Sequence, residues 1–523
     1  MIYKPNGCMW DPTVLYFKGQ YYMLSMYRNE AEKLNYGMWC AKSENGVHWE
    51  DLGCVLEEEF EIYKMFAYVC GDEVIINHGS FSQKGLGGND TLRFYKSKDM
   101  TDWEFMYASH PDARWYNENG RWDHMYCMAK NPDKPEEGCF GYVVATPKPE
   151  HHSSWGILES DDGYHFKVLP PPVIDWSQIP YIDMLEGGGC EKIGEKYYYI
   201  GGMVGYPASF GYSLFTFTAD NPAGPFKPDL EAFRLCGFNP MPGRIFVQNL
   251  AAFCRGKNGE LLVSNAIDAG GLEKIFLLPM RKAVVDQDGH LRLGYWENNN
   301  LLKGKEILLP DNIFTMTCAH EYQNPSENEI IWDHPYFKIE DHTLEMKTLG
   351  NINDFQLEDF SMLVMLEKEF DHKKGVLIEG KIKIAQYPSI REGETNKRLW
   401  RPSSVGIFVG EADHTGMAIT LEAGHPYNRH SYVENIDYNG VIKRTIVDTT
   451  DKSCATVAGI DTDVEHRFVF LYRHNMFELY VDGLLVQCFV HLKEPAGRLG
   501  FIIQNAKCEI SGLKIYQMNL DQT

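Results

Sequence analysis

An aspartate followed by proline, in Cys8-Met9-Trp10-Asp11-Pro12, heads an aromatic strand that reaches Phe17, turns at Lys18-Gly19-Gln20 and returns through Tyr21-Tyr22-Met23-Leu24. Asp11 reads as one carboxylate of a site that cleaves a sugar bond. That chemistry needs a second carboxyl group. One protonates the leaving oxygen while the other attacks or activates water, at about 5–5.5 Å separation for a covalent intermediate and about 6.5–9.5 Å where water intervenes. Glu186 is a candidate partner, because Gly187-Gly188-Gly189 behind it would permit close backbone approach to a ligand. Asp123 is a third candidate acid. Asp183 and Glu191 compete with Glu186, and Asp112 and Asp90 with Asp123. Asp183 stands three residues from Glu186, so in a regular strand it faces the other side. The nucleophile must stay ionised while its partner holds a proton, which a neighbouring carboxylate and partial desolvation would secure.

Acids this far apart in the chain meet only if a repeated architecture brings them to one axis. A repeat is present. Ser43-Glu44-Asn45-Gly46-Val47-His48-Trp49 is echoed by Ser97-Lys98-Asp99-Met100-Thr101-Asp102-Trp103 and by Ser160-Asp161-Asp162-Gly163-Tyr164-His165-Phe166, with a looser copy from Thr218 to Phe226. Each follows a strand-like run, and its polar centre makes a turn before an aromatic that packs back on the sheet. The spacing suits four-stranded propeller blades. Five blades are expected, opening near Asp11, Val69, Asp123, Glu186 and Val247, with Trp49 and Trp103 as core residues of the repeat. Helical periodicity is scarce, so the fold class is all-β.

We expect the propeller over residues 1–305, a connecting segment over 306–338 that carries Pro310, Pro325 and Pro335, and a β-sandwich over 339–523. In the last part Met476–Val481 and Leu484–Val490 flank Asp482-Gly483, a strong hairpin signal.

Composition excludes several classes. Lys and Arg number 50 against 73 Asp and Glu, a net charge of −23, which argues against nucleic acid or an anionic membrane as partner. A small neutral carbohydrate is compatible with that charge. Thirteen cysteines without a C-x-x-C pair read as reduced thiols in a cytoplasmic protein, with neither a disulfide framework nor a zinc site. No secretory signal follows Met1-Ile2-Tyr3-Lys4-Pro5, and no apolar run of transmembrane length is seen. His151-His152 reads as a solvated loop, and no cofactor or metal is expected.

The boxes resemble glycoside hydrolase family 32, the invertase, inulinase and levanase group. The likeness rests on the Asp11 stretch, Asn35-Tyr36-Gly37-Met38-Trp39-Cys40-Ala41-Lys42-Ser43, His48-Trp49-Glu50, Leu278-Pro279-Met280-Arg281-Lys282 and the run Tyr472 to Tyr480. Glu186-Gly187-Gly188 with Tyr197-Tyr198-Tyr199 also resembles the related family 43. The resemblance implies a five-bladed propeller followed by a β-sandwich. It also implies Asp11 as nucleophile, Asp123 (in Arg121-Trp122-Asp123) as transition-state stabiliser and Glu186 as acid/base. Trp10 and Thr13 stand where family 32 has asparagines, and no proline follows Asp123, so the boxes specify the clan more narrowly than the sugar. Substrate contacts are expected from Trp10, Phe81, Ser82, Arg121, Trp122 and Gln248, since sugar rings offer apolar faces and many hydroxyls. The expected activity is retaining hydrolysis of a terminal furanoside, a β-fructoside or similar, from a small oligosaccharide or glycoside. An inverting pentosidase and a non-catalytic carbohydrate-binding propeller are the alternatives. The sandwich would serve as support or as a homo-oligomer contact.

Overall fold

The computed structural model describes residues 1–523 apart from 6, 29–36, 81–89, 133, 183–185, 205–211, 237–247, 271–273, 310–313, 320–335, 349–360, 386–402, 412, 424–430, 441, 451–459, 462, 492, 494, 505 and 521–523. The described residues form β-strands and short 3-10 turns, and no helix among them is long and apolar enough to cross a membrane. The chain divides into two compact units, one built on Met1–Asn299 and the other on Asn300–Asn519.

The first unit is a series of antiparallel meanders. β1 (Cys8–Phe17), β2 (Gln20–Arg28), β3 (Gly37–Ser43) and β4 (Glu50–Glu57) pair in that order. So do β5 (Ile62–Cys70), β6 (Glu73–Ser80), β7 (Thr91–Ser97) and β8 (Glu104–Ser109). The third sheet runs β9 (Trp122–Ala129), β10 (Cys139–Ala145), β11 (Gly156–Ser160) and β12 (Lys167–Val168). The fourth holds β13 (Glu186–Ile193), β14 (Lys196–Val204), β15 (Tyr212–Ala219) and β16 (Lys227–Pro228), with β17 (Arg234–Cys236) also on β15. Thereafter β18 (Gln248–Arg255) pairs with β19 (Leu261–Asp268), which pairs with both β20 (Ile275–Leu277) and β21 (Arg281–Val285), and β21 pairs with β22 (Leu291–Tyr295).

The arrangement is propeller-like. β1 lies against β5, β5 against β9, β9 against β13, β13 against β18, and β18 against β1. Tyr3, just ahead of β1, bridges Leu277 of β20, with the Leu277 N–H donating to the Tyr3 carbonyl at 2.9 Å. The inner strands are therefore covered on both faces: β1 is buried along nearly its whole length, whereas outer β4 has no buried residue. A polar side chain on an inner strand must find a partner or carry a desolvation cost, which makes the acids on β1, β9 and β13 informative.

The repeated turn has one hydrogen-bond scheme. Ser43 Oγ accepts from Gly46 N–H at 2.8 Å, and Asn45 Oδ1 accepts from Val47 and His48 N–H, each at 2.9 Å. Ser97 and Asp99 repeat the scheme with Met100, Thr101 and Asp102, as do Ser160 and Asp162 with Gly163, Tyr164 and His165. The fourth residue of the repeat is left-handed in all three, at φ 74°, 73° and 74° for Gly46, Met100 and Gly163. Met100 accepts that conformation with its side chain in the core beside Met65 and Val74. Trp49 and Trp103 pack inward as expected.

The second unit comprises two antiparallel sheets. One runs Tyr336–Glu340, Thr343–Lys347, Lys507–Met518, Val376–Ala385, Glu465–Arg473, Met476–Val481 and Leu484–Val490. The other runs Phe314–Ala319, Ser361–Leu366, Arg498–Gln504, Ser403–Gly410, Thr415–Ala423, Ser431–Asp437 and Lys443–Thr450. Ile378, Phe470 and Leu479 of the first share one apolar cluster with Ile407, Ile419 and Phe501 of the second. Asp482-Gly483 turns its hairpin with positive φ at both residues, 49° and 79°. Phe314–Ala319, inside the stretch expected to be a connection, is instead a strand paired with Ser361–Leu366.

Candidate active site

Every inner strand carries a bulge within its first residues. In β1, Trp10 pairs with Met26 and Thr13 with Leu24, so Asp11 and Pro12 together oppose Ser25. In β5, Tyr63 and Lys64 oppose Gly79. In β9, Asp123 and His124 oppose Val144, because Met125 pairs with Val143 and Trp122 with Ala145. β13 has Gly188 as its extra residue, and in β18 Leu250 and Ala251 oppose Asn265. A bulge re-aims side chains and ends regular pairing, and in β1, β5 and β9 it falls on Asp11, Lys64, Asp123 and His124. Asp11 takes φ 51°, a left-handed conformation that few non-glycine residues adopt. Pro12 has no N–H to lose to the ladder, so it suits the bulge.

Asp123 is fully enclosed. Its Oδ2 accepts from Arg121 Nη2 at 2.7 Å, and its Oδ1 accepts from the His124 backbone N–H at 2.8 Å. Gly79 makes room for it, since a β-carbon there would collide with the carboxylate. Buried Asn77 braces the same strand, donating to the Met125 carbonyl at 2.8 Å and accepting from the Met125 N–H at 2.7 Å. Glu186, the first residue of β13, accepts from the same Arg121 nitrogen at 3.3 Å, and His124 Nε2 lies 3.5 Å from its other oxygen. Arg121 and His124 thus join Asp123 and Glu186.

Burial divides the acids. Asp11 is raised well above the usual carboxylate range by desolvation first and then by the charge of Glu186, with Lys64 opposing. Burial acts on Asp123 in the same direction, but the charge and hydrogen bonds of His124 and Arg121 outweigh it and hold the carboxyl well below that range. Burial therefore acts against ionisation of Asp11, the acid expected to stay ionised. Lys64, 2 % exposed, is pushed down by desolvation against the pull of Asp11, Glu186 and Asp123.

The other expectations fare unevenly. Trp10 is half-buried against the core of the first sheets, next to Asp11. Trp122 is wholly enclosed, edge-on to Tyr116 with its Nε1 on Ser109 Oγ at 3.3 Å, so its ring cannot serve as a sugar platform; that expectation is corrected. Arg121 joins two acids, a role beyond substrate contact. Phe81 and Ser82 lie outside the described residues, as does Asp183, and only the backbone of Gln248 is described, at the start of β18. The glycines after Glu186 admit neighbouring strands, not a ligand: a β-carbon at Gly188 would meet the Ala251 carbonyl, and one at Gly189 the Tyr126 ring. Glu191 is spent on Tyr126 Oη at 2.6 Å and Arg255 Nη2 at 2.5 Å. Asp112 pairs with Arg114 on the surface, and Asp90 accepts from Thr91 Oγ1. Sequence reasoning missed Lys64 and His124. Lys64 interrupts an otherwise apolar run, Ile62-Tyr63-Lys64-Met65-Phe66, which was the available signal. Among the described residues no group of His, Cys, Asp and Glu is arranged to hold a metal.

No family model and no curated protein matches this sequence. Solved structures match over almost the whole chain. A sucrose-6-phosphate hydrolase from Lactobacillus gasseri is 11% identical over 98% of this chain and 91% of its own, with a TM-score of 0.63. An exo-inulinase from Aspergillus awamori is 11% identical, with 99% and 97% covered and a TM-score of 0.60. A glycoside hydrolase family 32 structure from Bifidobacterium adolescentis is 11% identical, with 99% and 81% covered and a TM-score of 0.59. The resemblance to family 32 therefore holds at the level of the fold.

Proposed function

We propose that this protein is a glycoside hydrolase that removes a terminal furanoside, a β-fructoside or similar, from a small oligosaccharide or glycoside. The observation that carries the reading is the convergence on Arg121 and His124 of acids from separate sheets, Asp123 and Glu186, with Asp11 electrostatically coupled to both. We read the first unit as five blades, with β18 to β22 as the fifth; the closed succession of inner-strand contacts supports that count. The two sheets of the second unit, sharing one apolar core, read as a β-sandwich.

In the mechanism we infer, Asp11 attacks the anomeric carbon from its bulge and forms a covalent glycosyl-enzyme. Glu186, half-buried and so open to a leaving group, first protonates the departing oxygen and then takes a proton from the incoming water. Asp123, kept ionised by Arg121 and His124, holds ring hydroxyls and stabilises the oxocarbenium-like transition state. The fold-level likeness to sucrose- and inulin-cleaving enzymes supports a fructoside over a pentoside.

The test is turnover of sucrose, sucrose 6-phosphate, 1-kestose and inulin beside aryl arabinofuranosides and xylosides, with proton NMR of the first-formed anomer. Fructose release with retention is expected, together with loss of turnover in a folded Asp11→Ala variant. Unchanged activity in that variant, or no turnover of any member of the panel, would refute the reading.

A further inference from the structure

Asp11 and Lys64 occupy equivalent bulges on neighbouring inner strands, β1 and β5. Both are almost completely enclosed, at 6 % and 2 % exposure. Lys64 Nζ and Asp11 Oδ1 each lack a hydrogen-bond partner. An isolated buried charge is costly, since it demands a counter-charge or a hydrogen bond. Arg121 is committed to Asp123 and Glu186, while the ring nitrogens of His124 lie 3.5 Å from the same two carboxylates without a hydrogen-bond partner.

Charged groups around Asp11 come from several elements. β5 supplies Lys64, β9 and the residue before it supply Asp123, His124 and Arg121, and β13 supplies Glu186. β2 sets uncharged Ser25 opposite the bulge. β18 and β19, which also pack on β1, carry Arg255, bound to Glu191, and Asp268, which accepts from the Gly270 N–H. Among the described residues, Lys64 opposes the burial of Asp11 more strongly than Arg121 does. Its Nζ stands 4.9 Å from the Phe66 ring centroid, a contact that steadies the ammonium group without occupying its hydrogen bonds.

We propose that Lys64 is a positioning residue, the counter-ion that keeps the Asp11 carboxylate ionised for attack. The inference rests on the reading of Asp11 as the nucleophile. Burial raises Asp11 even with Lys64 opposing, so loss of the Lys64 charge would raise it further. An opposite charge at close range lowers a carboxylic acid by about 1–3 pH units.

The test uses Lys64→Met, which keeps the length and apolar stem of the side chain, and Lys64→Arg, which keeps the charge. On the best-hydrolysed fructoside, the acidic limb of kcat/KM should move up by about one pH unit or more in Lys64→Met and return toward wild type in Lys64→Arg. An unmoved limb in Lys64→Met overturns the role of Lys64 while leaving the hydrolase reading intact. If the wild-type protein turns over no glycoside, the hydrolase reading fails. The counter-ion role is then decided by melting temperatures at pH 7 of Asp11→Asn, Lys64→Met and the double variant. A double variant that loses clearly less than the sum of the single losses supports the pairing. Additive losses overturn it.

Discussion

Arg121 binds Asp123 at 2.7 Å through the nitrogen that also reaches Glu186 at 3.3 Å, so one guanidinium sets the spacing of two acids from different sheets. Arg121→Met should release both. Misplacing reacting groups by about 1 Å costs on the order of 100-fold, and kcat/KM on a fructoside is expected to fall at least that far. The variant should also be more acid-sensitive. Asp123 is depressed in the folded state, so it contributes stability that is present above the ordinary carboxylate value and lost as pH falls through the folded one. Without Arg121 that loss begins at higher pH, which melting curves from pH 7 to 3 will reveal.

Asn77 acts on the same acid from behind. Its amide satisfies both backbone groups of Met125, two residues beyond Asp123, and all of these atoms are buried. Asn77→Leu leaves a carbonyl and an N–H unpaired, at a cost of about 1–3 kcal/mol each. A lower melting temperature and a reduced kcat are expected together, since the strand that carries Asp123 is no longer pinned.

Gly188 tests the revised role of the glycine run. Gly188→Ala drives a methyl group into the Ala251 carbonyl of β18 and the Ile200 side chain. Overpacking of this kind costs about 1–3 kcal/mol, readable as a fall in urea midpoint. Were these glycines reserved for a ligand, the variant would keep its stability and lose only substrate affinity.

His78 supplies a pH signature of the fold. It is wholly buried, its Nδ1–H donates to the Gly79 carbonyl at 3.1 Å, and desolvation first of all pushes its pKa down to about 4. The unfolded chain takes up a proton near pH 6.5 that the folded one refuses, so stability is full above that value and falls as pH drops toward about 4. In His78→Gln this slope should disappear. Thermal melts of both proteins across that window provide the comparison.

Much of this organisation was legible in the residues. The Ser-x-Asx turns repeat because each turn must satisfy the same backbone N–H groups, and the aromatic after them marks where a sheet begins to pack. Glu186 stood out for the glycines that follow it, and Asp123 through the family resemblance of Arg121-Trp122-Asp123. The bulges were not legible, since an extra residue in one strand is defined only by its partner's register. For that reason the left-handed backbone at Asp11 was not foreseen, and Gly187 to Gly189 read as a ligand-facing stretch. Trp122 misled for a related reason: its position beside Asp123 put it near the acids in sequence, while strand alternation turned its ring into the core.

The bridge between Tyr3 and Leu277 bears on how the molecule comes into being during synthesis. Contacts this distant in the chain carry the largest loop-closure cost and form late. When the first sheet leaves the ribosome, β1 has neither β18 nor β20 beside it, and Asp11 remains in contact with water. The burial of Asp11 is therefore completed only once the last sheet of the first unit has docked against β1.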